Sequence, residues 1–277
     1  MKVRIVCLLS ALLLLFVMIG GCSSSGSTSV NDVLKILPDS VSNVFVADWS
    51  KMTADPNLQG LWNAYKEKLN TASMEEFLGV NTPDIESMTM ASGGSTYYIV
   101  MKGKFSVENI RTVLTNQNFK RQDDYLRVEV WNGNASIAFL KDMMILTMSI
   151  DSLKTMIRLN EGAEKGSFYN SQNFNGIINK LPAGIFTLLS AGGDQGSTST
   201  GMSFGVLSAD SLSFSRDYLF TDSAAAVTGK TNIESTFSDN FTGTVDTINQ
   251  KNSIVEIKGS MSISDFMAST YFVNMGF

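Results

Sequence analysis

Ile99-Val100-Met101-Lys102-Gly103-Lys104-Phe105-Ser106-Val107 reads as a strand that passes through a Lys-Gly pair into a capped helix. Tyr97, Tyr98, Ile99 and Val100 give Thr96 to Phe105 the aromatic and β-branched content of a strand. Ser106 is placed to cap a helix whose Val107, Ile110, Val113 and Leu114 fall on one side. The same step returns 156 residues later as Val255-Glu256-Ile257-Lys258-Gly259-Ser260-Met261-Ser262-Ile263, where Ser262 and Asp265 form a capping-box pattern.

A second echo supports the first. Leu37-Pro38 precedes a strand-like run from Val41 to Trp49, and Leu181-Pro182, 144 residues on, precedes another from Gly184 to Ser190. Ala224 to Lys230 reads as a third strand-to-helix step. Together these predict an α+β fold of two related subdomains, residues 33–180 and 181–277, as diverged copies of one unit with a boundary near Lys180. Each copy is expected to be a mainly antiparallel sheet with helices packed on one face.

Between the echoes, Asp55-Pro56 caps a helix with Leu58, Leu61, Trp62, Tyr65 and Leu69 in one stripe. Tyr125 to Trp131 alternates, Asn132-Gly133-Asn134 marks a turn, and Ala135 to Leu140 and Met143 to Ser149 complete an antiparallel meander. Asp151 starts a helix that Gly162 ends, and Phe174, Ile177, Ile178 and Leu181 mark one more.

The start of the chain is of another kind. Lys2 and Arg4 precede an apolar run from Ile5 to Ile19, too short for a comfortable span of about 20 residues. It closes on Ile19-Gly20-Gly21-Cys22, which resembles the lipobox of bacterial lipoproteins. That resemblance implies that residues 1–21 are a signal peptide and that Cys22 receives diacylglycerol. Lipidation would anchor the protein on the extracytoplasmic side of a bacterial membrane, in the cell envelope, without spanning it. Cys7 lies inside the apolar run, so the expected mature chain carries neither thiol nor disulfide. Residues 22–32 read as a tether, and its Ser/Gly-rich part, Cys22 to Ser29, spans about 15 Å as a flexible coil.

The Leu-Pro strand, Leu78-Gly79-Val80 before Pro83-Asp84-Ile85, and the Lys-Gly junction resemble uncharacterised exported bacterial proteins known only as domains of unknown function. The resemblance covers roughly residues 33–190. It implies the architecture and brings no catalytic motif with it.

Composition excludes several chemistries. Loss of Lys2 and Arg4 turns the formal charge of −5 into −7, and the remaining cations are scattered, so nucleic acid is not an expected partner. Gly201-Met202-Ser203-Phe204-Gly205 fits the spacing of a nucleophile elbow, but the chain has no histidine to take the Ser203 proton. No lysine has a serine three residues before it, which removes the Ser-x-x-Lys dyad. Gly229-Lys230-Thr231 lacks the glycine that a phosphate loop needs at Ala224. Asp123, Asp124 and Glu129 do not have calcium-loop spacing. No catalytic residue, metal site or cofactor is therefore expected.

Two features suit binding. Phe and Met are abundant, at 17 and 15, and fill cores or adaptable apolar surfaces. The Ala191 to Gly201 loop, rich in Gly and Ser, could fold around a partner. The expected function is a non-catalytic, membrane-anchored lipoprotein with a binding or scaffolding role toward an envelope protein. The alternative is a carrier for a lipid or other hydrophobic ligand, and a carboxylate-based hydrolase ranks third. A large apolar cavity would favour the carrier, an exposed apolar patch the scaffold, and a cleft of paired acids the hydrolase.

Overall fold

The computed structural model describes residues 30–174 and 176–269; the expected signal peptide, Cys22 and the Ser/Gly-rich stretch lie outside them. The chain folds as α+β around one antiparallel sheet. Its strands are β1 (Asn43–Asp48), β2 (Ile85–Gly93), β3 (Thr96–Gly103), β4 (Lys120–Arg121), β5 (Val130–Asn132) and β6 (Ser136–Leu140). They continue as β7 (Met143–Thr147), β8 (Phe186–Ala191), β9 (Ser199–Val206), β10 (Ser211–Leu219), β11 (Thr244–Lys251) and β12 (Ile254–Ser262). Their order across the sheet is β11-β12-β10-β9-β8-β1-β2-β3-β7-β6-β5-β4.

The helices are α1 (Val30–Ile36), α2 (Trp49–Ala54), α3 (Gln59–Leu69), α4 (Thr71–Leu78), α5 (Val107–Asn116), α6 (Ile150–Asn160), α7 (Ser223–Asn240) and α8 (Ile263–Ala268). Alternation along the strands divides the core in two. In β1, Phe45 and Ala47 enter one cluster with Trp62 of α3, Ile110 of α5 and Phe266 of α8. Val44 and Val46 enter the other with Leu34 of α1 and Leu153 of α6. The helices therefore lie on both faces of the first half of the sheet, where one face was expected. The reason is visible in β1 and β3, whose two sides are both apolar. In the second half α7 and α8 share a single face, and the far side of β10 shows Ser213, Ser215 and Asp217.

The two expected sheets are one. The strands after the two Leu-Pro pairs, β1 and β8, bond to each other, Asn43 opposite Ser190 and Ala47 opposite Phe186. Joining them leaves neither with an open edge. Each half then repeats one order of connection: three strands in a meander, a helix, and a returning strand that pairs with the third. In that repeat β3 matches β10 and β7 matches β12. Ser149, the cap of α6, accordingly matches Ser262, the cap of α8, and Ser106 of α5 matches Asp222 of α7; each side chain accepts from the backbone N–H three residues on. The Lys-Gly alignment instead sets β3 against β12, which lie two and three strands from β1 and β8. Its two segments are not equivalent positions.

Four local expectations also change. Ala224 to Lys230 lies inside α7: Asp222 accepts from the Ala225 N–H at 2.8 Å, and the alanines behind it favour helix over strand. Trp49 opens α2, because Asp48 caps the chain there. Phe174 to Leu181 forms no α-helix; a 3-10 turn, Gln172–Phe174, and further turns bury Phe174 and Ile177 instead. Residues 30–32 of the expected tether belong to α1, which begins three residues before the expected start of the folded unit. Among the described residues no helix is long and apolar enough to cross a membrane.

Candidate apolar groove

A strongly apolar cavity lies between α4 and the sheet. Asn70, at φ 49°, breaks α3 from α4, and Gly79, at φ 69°, ends α4 after two turns. A Cβ on Gly79 would stand 2.7 Å from Val113 of α5, so this glycine lets α4 and α5 touch. Phe77 of α4 meets Phe119 edge-on at 5.8 Å. Helix α3, meanwhile, is held elsewhere, where Trp62 and Tyr65 pack with Trp49, Phe45 and Phe186 over β1 and β8. A trough remains above β3 and β7.

Its volume is about 480 Å³. Met74 and Phe77 wall one side, Ile99, Met101 and Leu146 form the floor, and Ala135 closes an end. A second lobe of about 350 Å³ continues over Met88, Met90 and Ala91 and shares Leu69, Met74, Tyr97 and Ile99 with the first. Both sizes fall in the range of roughly 300–1,000 Å³ usual for small-ligand sites. Tyr97 and Met148 stand at the mouth, 51% and 67% exposed, an unusual position for such apolar side chains. Among the described lining residues of both lobes, Lys68 alone carries a charge. Burial beside the second lobe holds its ammonium below the ordinary lysine pKa.

The positions singled out by sequence go elsewhere. Ser203 lies in the middle of β9, not on a turn, is 1% exposed, and donates its Oγ–H to the Pro182 carbonyl at 2.7 Å. Gly229 is a packing position, because a Cβ there would fall 2.1 Å from the Phe220 ring. The Ala191 to Gly201 loop is shorter than its composition suggests, since Ser199 to Gly201 belong to β9. What remains is tied down: Ser197 bonds to the Asp194 carbonyl through both N–H and Oγ–H, and Asp194 pairs with Arg216 at 2.9 Å. A mixed cleft of about 340 Å³ lies beside it, between Arg216, Phe237 and Met261.

The acids serve local structure. Glu129 receives the Arg111 guanidinium through two nitrogens and the Trp131 indole N–H, which hold its carboxyl below the usual range. Asp124 pairs with Arg121, and Glu86 and Asp142 flank the buried Lys102. Asp217 is 1% exposed, and both its carboxyl oxygens lack a hydrogen-bond partner among the described residues. Among those residues, no group of three or more His, Cys, Asp or Glu side chains is placed to hold a metal ion. The groove was the part that the sequence concealed. Met74, Met101 and Met148 belong to the apolar abundance already noted, but no periodicity separates a residue lining a trough from one filling a core.

No family model matches the chain, and no curated protein matches it. Among solved structures it is similar to one described as "Structure of crystal form I of TP0453". The TM-score is 0.52 at 6% identity, over 85% of this chain and 94% of that one. At that identity the likeness shows the α+β fold and nothing of function.

Proposed function

We propose that this is a non-catalytic cell-envelope lipoprotein, held to the membrane through lipidated Cys22, whose folded body binds a hydrophobic ligand in the groove beside α4. The observation that carries this reading is the two-lobed trough of Met, Phe, Ile and Leu side chains with Tyr97 and Met148 at its mouth. Such a surface costs free energy in water unless something apolar covers it. Methionine walls adapt to flexible ligands, which suits acyl chains. Between the two binding roles expected from sequence, the volume of the trough and the side chains its two lobes share favour a ligand that lies inside it over a partner protein resting on a flat patch.

The test is binding of a polarity-sensitive dye such as N-phenyl-naphthylamine to the purified, delipidated protein. Saturable fluorescence enhancement is expected, and Ser73→Trp, which places an indole on the groove wall, should abolish it without lowering the unfolding midpoint. Absence of binding to the wild-type protein, or undiminished binding to a folded Ser73→Trp variant, would overturn the reading.

A further inference from the structure

Val206 and Leu207 stand at the tip of the β9–β10 hairpin, 42% and 59% exposed. Single exposed apolar side chains are ordinary on a protein surface, but among the described residues these two are the one pair of large ones adjacent in sequence. We propose that this tip is a second membrane contact, with Val206 and Leu207 entering the bilayer that holds Cys22, so that the groove beside α4 opens away from that bilayer. The contact rests on the lipid anchor proposed at Cys22 and is independent of what the groove binds.

Strand register sets the tip beside the start of the folded chain. Val30, the first described residue, lines a cavity of about 250 Å³ with Asp48, Gly184 and Ile185. The Ile185 N–H donates to the Phe204 carbonyl at 2.6 Å, and Val206 follows two residues after Phe204. Val30 and the tip therefore share one end of the sheet. The groove mouth is at the other: Ser87 pairs with both Asp48 and Lys102, whereas Tyr97, five residues before Lys102, pairs with Ser92 opposite Asn43. Five residues of strand put about 17 Å between the two ends. The faces differ too, since Val33 and Leu34 of α1 pack on one side of the sheet and Met101 and Leu146 of the groove floor on the other.

Val30 is eight positions from Cys22. A tether of that length averages about 15 Å if coiled and reaches at most about 29 Å at full stretch. Such an anchor keeps the Val30 end of the sheet near the lipid and gives the tip an effective concentration there of roughly millimolar. Two apolar side chains, too few to hold a free protein on a membrane, suffice under those conditions. Asp210, the acid of this turn, accepts from the Ser208 hydroxyl at 2.8 Å, and a neutral lipid surface does not repel it.

The test uses full-length lipidated protein in phosphatidylcholine vesicles containing doxyl-labelled lipid as a quencher. A thiol-reactive fluorophore is placed on Ala209→Cys at the tip or on Ser95→Cys in the β2–β3 turn at the mouth end. Quenching at position 209 is expected to exceed that at position 95 at least threefold and to persist in about 1 M salt, because the contact is apolar. Adding Val206→Ser and Leu207→Ser to the Ala209→Cys protein should lower its quenching to the level of position 95, while the protein still floats with the vesicles and keeps its urea midpoint. Equal quenching at the two positions, or quenching at 209 that survives the paired serine substitutions, would overturn the hairpin contact and leave the anchor standing. Loss of the quenching in salt would overturn its apolar basis. If the protein does not float with the vesicles at all, the anchor reading falls and the hairpin contact falls with it.

Discussion

Gly103 on β3 and Gly259 on β12 each face a shift of register in the neighbouring strand, at Ile85 to Ser87 for one and Val245 to Thr247 for the other. A Cβ on either would come within 2.1 Å of a backbone carbonyl oxygen, of Asp84 and of Thr244 respectively. No side chain rotation relieves a clash with backbone, so both strands must move apart to admit one. Gly103→Ala and Gly259→Ala should each cost about 1–3 kcal/mol of stability. Gly60, with open space around its Cβ position in α3, supplies the control: Gly60→Ala should gain about 0.5–1 kcal/mol. Urea unfolding of the three variants checks the contrast, and equal effects would refute the close approach.

Asp217 lies on β10 between Gly201 of β9 and Glu256 of β12. Burial pushes its pKa up to about 6; repulsion from Glu256 adds to the rise, and Lys180 and Lys258 oppose it. The folded pKa thus stands above the unfolded value of about 3.9, and the folded state disfavours the ionised form. Stability from this group is full below about pH 4 and declines as pH rises through 6. Asp217→Asn should therefore stabilise the protein at pH 7, by no more than about 3 kcal/mol, and the advantage should fade on acidification. Unfolding midpoints of both proteins from pH 5 to 8 decide it; a constant difference between them would count against the titration.

Ser203 is a structural donor. Replacing it with alanine leaves the Pro182 carbonyl without its 2.7 Å partner in a buried place and should cost about 1–2 kcal/mol. Fluorophosphonate should leave the wild-type serine unlabelled. Stoichiometric labelling of Ser203 would contradict both its burial and the lack of a histidine in the chain.

Cys22→Ser should release the protein from membranes or leave its signal segment uncleaved. Fractionation followed by intact mass measurement tests this, and a processed Cys22→Ser protein still found in the membrane fraction would exclude lipid anchoring at that residue.

Strand-to-helix junctions were readable because their signals are local. Ser106 and Ser262 cap the helices expected of them, and β6 and β7 lie within the expected strands Ala135 to Leu140 and Met143 to Ser149. Placement across the sheet was not readable from the same residues. Gly103 and Gly259 share a bulge-facing glycine followed by a capped helix, and this local device works equally well two strands from β1 or three from β8. Two junctions built for the same geometry therefore look like copies when they are not equivalent. The run Ala224 to Lys230 failed for a related reason, since the six small or apolar residues before Lys230 carry no period, and only the Asp222 cap identifies the helix. The groove required the helix break at Asn70, whose consequence appears only once α4 is seated against α5.

The central strands β1 and β8 join residues far apart in the chain: the Ser190 hydroxyl donates to the Asn43 side chain across 147 positions. A ribosome or secretion channel delivers β1 and β2 long before β8, so one edge of β1 waits unpaired while more than a hundred residues follow. Closing so long a loop slows folding, and an unpaired apolar strand invites association with other chains in the interval. The middle of this sheet thus closes only after β2 to β7 have been delivered, and the step most exposed to failure is the arrival of Phe186–Ala191.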